Sequence, residues 1–408
     1  MESRETENGA EKFDCCIAGG GPAGIMLGYL LARAGLQVAV LEKWPDFFRD
    51  FRGDTVHPST MRILDELGLL DDFLKLPHDE TKQIAVKIGG KKVTVADFTH
   101  IRRTPFLAFM PQWDFLNFLS ANGKKFPGFH LMMQTEALDL LKDGDKVIGV
   151  KAKNNSGEFE IKATLTVGAD GRHSTIREKS GLQVKDLGAP IDVLWFRLPR
   201  KDDGAAETLG DADHGKVLIL IDRGDYWQCG FLIAKGNFEK IKSRGLESLR
   251  AEITMLEPSL DQAAKGLTDW SQIKLLPVAV DHLEQWYQPG LICIGDAAHA
   301  MSPVGGIGIN LAIQDAVAAA NILIPAFRHG GGIKTSDLES IQVRRSNAAK
   351  IVQKLQVFIH NHVLAPVLAD NGHFDIPWQL KFLQHFPILR RVLARAVGFG
   401  YRSEHVDF

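Results

Sequence analysis

The chain has 408 residues, 45% hydrophobic and 24% charged, which is material for a large core and for two or three domains. Lys plus Arg number 48 against 50 for Asp plus Glu, so there is no electrostatic case for a nucleic-acid partner. That composition, with a net charge of −2, is the profile of a soluble globular protein.

The opening MESRETENGAE is polar and lacks the basic start and apolar run of a signal peptide, so it reads as a disordered tail. Phe13 to Ala18 reads as a buried strand, Gly19 to Gly24 as a tight turn, and Ile25 to Ala34 as a helix capped at Gly35. Gln37 to Leu41 is the second strand of a parallel pair, the mark of an α/β fold. Residues 58–76 form an amphipathic helix and a turn, 82–98 alternate as antiparallel strands, and 113–122 are helical. Residues 145–168 read as a hairpin leading into a strand, and 184–276 as short strands around one helix near 244–256. A buried strand at LICIG leads to an Ala-rich helix over 308–326; 335–408 is helical, broken by Pro366, Pro377 and Pro387. Cys15, Cys16, Cys229 and Cys293 are expected as buried free thiols, with no metal-ligand spacing. No apolar stretch approaches the roughly 20 residues that span a bilayer, and a cytoplasmic location is expected.

Gly19, Gly21 and Gly24 form G-x-G-x-x-G between a strand and a helix, and Glu42 closes the second strand. The glycines admit a tight turn, the approach of a pyrophosphate and close helix–strand packing; Glu42 is placed to accept ribose hydroxyls. Pro22, Ala23 and Lys43 flank these positions and belong to the same cofactor set. This fingerprint serves FAD and NAD alike. A second stretch, GDAAHAMSPVGGIGIN over 295–310, puts Asp296 at a strand end, where a short acid can accept ribityl hydroxyls. Gly305, Gly306 and Gly308 let backbone approach a flat ring, and the helix beginning near Ile309 and Asn310 presents N–H groups to it.

That second stretch, with GADGRHSTIRE over 168–178, resembles the group A, para-hydroxybenzoate hydroxylase-like family of FAD-dependent aromatic monooxygenases. Asp170, Gly171, Ser174 and Arg177 stand at matching places, and the resemblance covers roughly 13–330. It implies a Rossmann-like FAD-binding domain of the glutathione-reductase type (12–80, 106–183 and 277–334). A mostly antiparallel β-sheet substrate domain (81–105 and 184–276) and a C-terminal helical region (335–408) would complete the fold. It further implies that NAD(P)H reduces FAD, that O2 adds to give a C4a-hydroperoxide, and that oxygen passes to a small, electron-rich, phenolic substrate.

By the same resemblance Arg52 and Gln112 touch the cofactor, and Pro303 lies against the flavin and is the leading catalytic candidate. His57 is a second catalytic candidate, as an aid to deprotonating a phenol. Trp195 and Arg197, and Tyr226 and Gln228, are substrate-facing candidates on the second sheet. LLPVAVDH, 275–282, lacks the basic residue that some members place there for the nicotinamide. The W-x-W-x-I-P signature of flavin halogenases is not found. A reductase or oxidase of the same fold, or a non-enzymatic lipid-binding relative, are the alternatives. No metal site is expected, and a homodimer is possible. The basic amphipathic stretch 376–400 can lie on a membrane, but packing against the body or a second subunit is the favoured reading.

Overall fold

The computed structural model describes residues 12–48, 55–200, 209–330, 332–369, 376 and 378–408. Strand β1 (Lys12–Ala18) leads through the glycine turn into helix α1 (Pro22–Arg33) and strand β2 (Val38–Glu42). β3 (Thr55–Val56), α2 (Pro58–Glu66), the single turn α3 (Leu70–Phe73), β4 (Asp79–Thr81), β5 (Gln83–Ile88), β6 (Lys91–Asp97) and β7 (Leu107–Phe109) follow. After α4 (Gln112–Gly123) come β8 (Phe129–Met133), β9 (Glu136–Asp143), β10 (Lys146–Asn154), β11 (Gly157–Gly168) and α5 (Thr175–Ser180).

The next segment holds β12 (Val184–Asp186), β13 (Ile191–Pro199), β14 (Gly210–Asp213), β15 (Lys216–Asp222) and β16 (Tyr226–Ala234). Helices α6 (Phe238–Ser243), α7 (Leu246–Leu256) and α8 (Asp261–Ala264) precede β17 (Lys274–Pro277), β18 (Asp281–Leu283), β19 (Tyr287–Gln288) and β20 (Leu291–Cys293). The C-terminal part is helical: α9 (Gly308–Arg328), α10 (Thr335–Ile359), α11 (Ala365–Ala369), α12 (Trp378–His385) and α13 (Pro387–Phe399).

The first sheet runs β19-β20-β11-β1-β2-β8, parallel from β20 to β8, with β10 and β9 added antiparallel on β11. The second half of β1, Cys15–Ala18, is an apolar run at the centre of the sheet; Cys15, Cys16 and Ile17 have no solvent exposure. The second sheet runs β17-β13-β16-β15-β14-β5-β6, antiparallel except where β14 pairs parallel with β5. The fold is therefore α/β with two mixed sheets. One face of the second sheet carries Leu194, Phe196 and Phe231 against Leu249 and Ile253 of α7. The opposite face carries Val193, Trp195 and Leu232 against Phe98, Phe109 and Ala394.

Three local expectations need correction. The helix from Pro58 ends at Glu66 because the chain turns at Gly68, where φ is +74°, and resumes only as the single turn α3. The expected helix near 244–256 is found as α7, which begins directly after Gly245 (φ +84°), with the short α6 preceding it. Pro366 does not break the C-terminal helix: a π-helical turn over His360–Leu364 precedes it, and the widened repeat accommodates the ring. Pro377 lies outside the described residues, and Pro387 opens α13. Finally, the segment Val304–Arg328 is long and apolar enough to cross a membrane, contrary to the reading of the sequence. Of its most apolar 18-residue window 78% is buried inside the protein, so α9 is the core helix against which α1 packs.

Candidate functional site

The first loop is shaped by its own backbone. Gly19 has φ +107°, and a Cβ on Gly24 would sit 1.9 Å from the Gly19 carbonyl oxygen, so no larger residue fits there. Pro22 takes the first helical position of α1, where a missing N–H costs nothing, and Ala23 is buried against Gly295. Glu42 reaches back from β2: one carboxylate oxygen accepts the Gly20 N–H at 3.2 Å, the other the Trp44 N–H at 3.1 Å. Lys43 is exposed and its ammonium lies 5.5 Å from the centre of the Trp44 ring.

Gly21 is different. Its backbone is extended, and a Cβ there would meet nothing nearer than the Ala169 oxygen at 4.0 Å. Among the described glycines outside the positive-φ region, only Gly21 and Gly308 have such open space. Both stand at the start of a long helix, α1 and α9, and neither helix has a side-chain cap on its first N–H groups. Two uncapped N-termini, each led by a glycine that packing does not require, make two places for an anionic or electron-accepting group.

The two places adjoin. Gly295 is wedged between the helices, a Cβ on it falling 3.2 Å from Ala23 of α1 and 3.4 Å from Ala312 of α9. Asp296 follows, partly exposed, with Arg172 at 3.6 Å from its carboxylate. Downstream, Pro303 enters a single 3-10 turn in which Gly305 and Gly306 both take positive φ, and Gly306 lies against Thr55.

Side chains from distant parts of the chain hold this second loop. Asn310 accepts from the His57 N–H and the Thr60 hydroxyl, both at 2.7 Å, and donates to the Thr55 and Gly306 carbonyls. That exhausts the amide, so any cofactor contact from Asn310 falls to its backbone. The Ile309 side chain is likewise buried in the core. On the other side Gln356 of α10 accepts the Ser302 N–H and donates to the Ser302 and Val304 carbonyls. His360, in the π turn, meets the Ser302 hydroxyl at 2.8 Å, and Gln353 donates to the Ala300 carbonyl.

Beneath lies a buried charge cluster: Asp315 accepts the Gly295 N–H at 3.1 Å and contacts His299 at 2.6 Å and Arg345 at 2.8 Å. Burial alone would raise the Asp315 carboxyl, but His299 and Arg345 together outweigh it and hold the group below the usual carboxylate range. Arg345 continues to Glu404 near the C-terminus. His299 therefore hydrogen-bonds to Asp315 and packs on Trp286.

His57 is fully buried. Its Nδ1 stands 2.9 Å from the Val397 carbonyl oxygen, which can only accept, so Nδ1 carries the proton. In the neutral ring Nε2 is then a bare acceptor with no hydrogen-bond partner, beside the backbone of Gly305 and Gly306. Burial pushes the imidazole down to about 4, against the smaller opposing pull of nearby carbonyls. A base so weak is a poor receiver for a phenolic proton; it is suited to accepting a hydrogen bond.

The Asp-Gly segment acts partly within itself. Asp170 accepts from the Ser174 hydroxyl and, at 3.1 Å, from the Ile176 N–H, capping α5. Burial raises its carboxyl despite those hydrogen bonds. Gly171 follows with φ +86°, and Arg177 ties α5 to β18 through Asp281 at 2.9 Å. Arg172, passed over in the sequence, reaches the Pro277 carbonyl as well as Asp296. The fold thus brings a cation to the 275–282 stretch that has none of its own. With His173, Arg177 and Glu178 it lines an open cleft of about 470 Å³.

Trp195, Arg197, Tyr226 and Gln228 all share one sheet face, since Arg197 stands opposite Gln228 and Trp195 opposite Gly230 in the β13–β16 register. Trp195 is buried over Gly230, Gln228 is buried and accepts from Arg223, and the exposed Arg197 lies over the Tyr226 ring at 4.8 Å. This face meets Phe109 of β7, whose partner across the strand pair is Thr55, the residue against Gly306. Gln112 begins α4 just beyond β7 and is partly buried. Arg52 lies outside the described residues. Among the described residues no group of three or more His, Cys, Asp or Glu is placed to hold a metal ion.

Open glycines before two uncapped helices, an acid at each strand end and a partnerless buried imidazole nitrogen together fit a flat, phosphate-bearing cofactor such as FAD. A family model described as FAD binding domain matches residues 12–354. The chain is 29% identical to a 6-methylpretetramide 4-monooxygenase of Streptomyces rimosus, over 96% of this chain and 94% of that protein. It is 24% identical to a para-nitrophenol 4-monooxygenase of a Pseudomonas species, over 81% and 82% respectively. The solved structure of an anhydrotetracycline hydroxylase from Streptomyces rimosus superposes with TM-score 0.76 at 22% identity, covering 97% of this chain and 78% of that one.

Proposed function

The chain belongs to the FAD-binding-domain family of flavin-dependent aromatic monooxygenases, and on that premise we propose that it hydroxylates an electron-rich aromatic compound beside the Pro303–Gly308 loop. It is an FAD-dependent oxidoreductase. The observation that carries the placement is the pair of open glycines, Gly21 and Gly308, at two uncapped helix starts joined by Gly295.

When bound, FAD supplies the redox chemistry, taking electrons from NAD(P)H and delivering activated oxygen to the substrate. The residues of this chain bind and orient. The α1 N-terminus meets the pyrophosphate, Glu42 the adenosine ribose and Asp296 the ribityl chain, with Arg172 balancing the Asp296 charge. The α9 N-terminus offers N–H groups and a partial positive charge to the ring. Pro303, at the head of the same loop, borders the reacting region.

The substrate would occupy the space between that loop and the Trp195 face of the second sheet. Trp195, Val193 and Phe109 give it an apolar wall, which keeps water away from reactive oxygen. His57, buried behind the Gly305–Gly306 backbone, supports the loop that borders the substrate; its low basicity argues against a role in removing a phenolic proton. The kinds of compound named in the two relatives, a pretetramide and a nitrophenol, define the first panel of candidates.

The test is to purify the protein, record its flavin absorption, and follow NAD(P)H oxidation with and without phenolic and fused-ring aromatics. Flavin bands with substrate-stimulated, oxygen-dependent oxidation support the assignment. Oxidation that proceeds equally without oxygen would make it a reductase instead.

A further inference from the structure

The α12–α13 hairpin has two faces of opposite character. Its inner face is built into the protein: Leu380 packs on Val93 and Ile88, Ala394 on the Trp195 face, and Gly398 against Pro58 and Phe98. Its outer face is left open, with Phe382 51%, Phe386 48%, Ile388 73% and Val392 59% exposed. In α13 Ile388, Val392 and Ala396 recur at four-residue spacing along one exposed stripe, and Phe382 and Phe386 of α12 pair their rings at 4.5 Å.

The charge on this hairpin is of one sign. From Ile376 to Ser403 there is no Asp or Glu, while Lys381, Arg390, Arg391, Arg395 and Arg402 are cationic. Lys381, Arg391, Arg395 and Arg402 are exposed. The whole chain is net −2, so the acidic balance lies elsewhere on the molecule. A second copy of the chain is a poor occupant, because a two-fold interface would press this basic patch against itself. An anionic surface with an apolar interior complements both the apolar stripe and the charges around it.

We propose that the outer face of α12–α13 docks on the surface of an anionic lipid bilayer, with Phe382, Phe386, Ile388 and Val392 entering the headgroup region and the cationic side chains meeting lipid phosphates. The helix lies in the plane of the surface and does not cross it. The docked helix is also the one whose Val397 carbonyl holds His57, so the bilayer stands about one helix diameter, roughly 10 Å, from the substrate site.

The experiment is co-sedimentation of the FAD-loaded full chain with mixed phosphatidylcholine–phosphatidylglycerol vesicles and with pure phosphatidylcholine vesicles. Sedimentation with the mixed vesicles at low salt, release at high salt and little association with the neutral ones is the expected result. Ile388→Glu with Val392→Glu, and separately Lys381→Gln with Arg395→Gln, should each weaken association by about tenfold or more. Flavin absorption and NAD(P)H oxidation in vesicle-free solution should be unchanged, which shows the variants fold and separates this proposal from the oxygenase reading.

Wild-type protein that stays in the supernatant with mixed vesicles at low salt overturns the proposal. So does a wild-type dimer that the Ile388→Glu, Val392→Glu variant converts to monomer, since a second copy would then cover this face.

Discussion

The two loops that start α1 and α9 look alike in sequence, each a run of glycines before an apolar helix, yet they are held in opposite ways. Gly19–Gly24 is fixed by its own atoms: Gly24 touches the Gly19 carbonyl, and Pro22 and Glu42 complete the turn from adjacent elements. The 295–310 loop is held from far away, by Thr55 and His57 on one side and by Gln353, Gln356 and His360 on the other. Asp315 and Arg345 support it from below. The phosphate end of the site is thus a local motif, whereas the ring end is an assembly of separate segments. Damage to the first should act on binding directly; damage to the second should spread through the fold.

The largest effect is expected where the local loop has no room. Gly24→Ala drives a Cβ into the Gly19 carbonyl, and should cost several kcal/mol and yield protein without flavin. Gly21→Ala, three residues earlier, meets open space and should leave melting temperature within a few degrees while weakening FAD binding. Equal loss of stability in both would erase the distinction between a packing glycine and a ligand glycine.

Next comes the remote support. Arg345→Met leaves the buried Asp315 with His299 as its remaining side-chain partner and Glu404 without this arginine, and should destabilise the protein by about 3 kcal/mol in denaturant titration. If Arg345→Met instead lost FAD affinity with stability intact, the cluster would have to be read as part of the binding site.

A smaller effect depends on pH. The His57 imidazole is lowered to about 4 from an ordinary 6.5, so between those values the unfolded chain takes up a proton that the folded one refuses. Stability from this group is complete above pH 6.5 and lost as pH falls to about 4, by up to about 3 kcal/mol. His57→Gln should flatten that part of the profile, measured by urea unfolding across the range. His282 and His360 are also lowered, chiefly by burial, and their share should remain in the variant.

The difference between the loops also explains what the sequence made legible. Gly19, Gly21, Gly24 and Glu42 could be read because their contacts are local in sequence, and Asp296 and α9 because a strand, an acid and an apolar helix follow in order. Arg172 could not be read, since its two contacts, Pro277 and Asp296, are far away along the chain. Gln353, Gln356 and His360 left a usable signal: they recur at three- and four-residue spacing on the same helix stripe as the buried Ala349 and Val352. Polar side chains on a buried stripe must find partners, and here the partners are the backbone of the ring-side loop. His57 was legible as a candidate, but its weakness as a base follows only from burial, which no local pattern reveals.

On this reading the chain places one atom of dioxygen on an aromatic substrate held beside its ring-side loop. Turnover under isotopically labelled dioxygen, with mass analysis of the product, tests it most directly. The expected product is a hydroxylated aromatic carrying one labelled oxygen, formed in step with NAD(P)H oxidation. A product without label, or NAD(P)H consumed with hydrogen peroxide as the sole oxygen product for every aromatic tried, would contradict it.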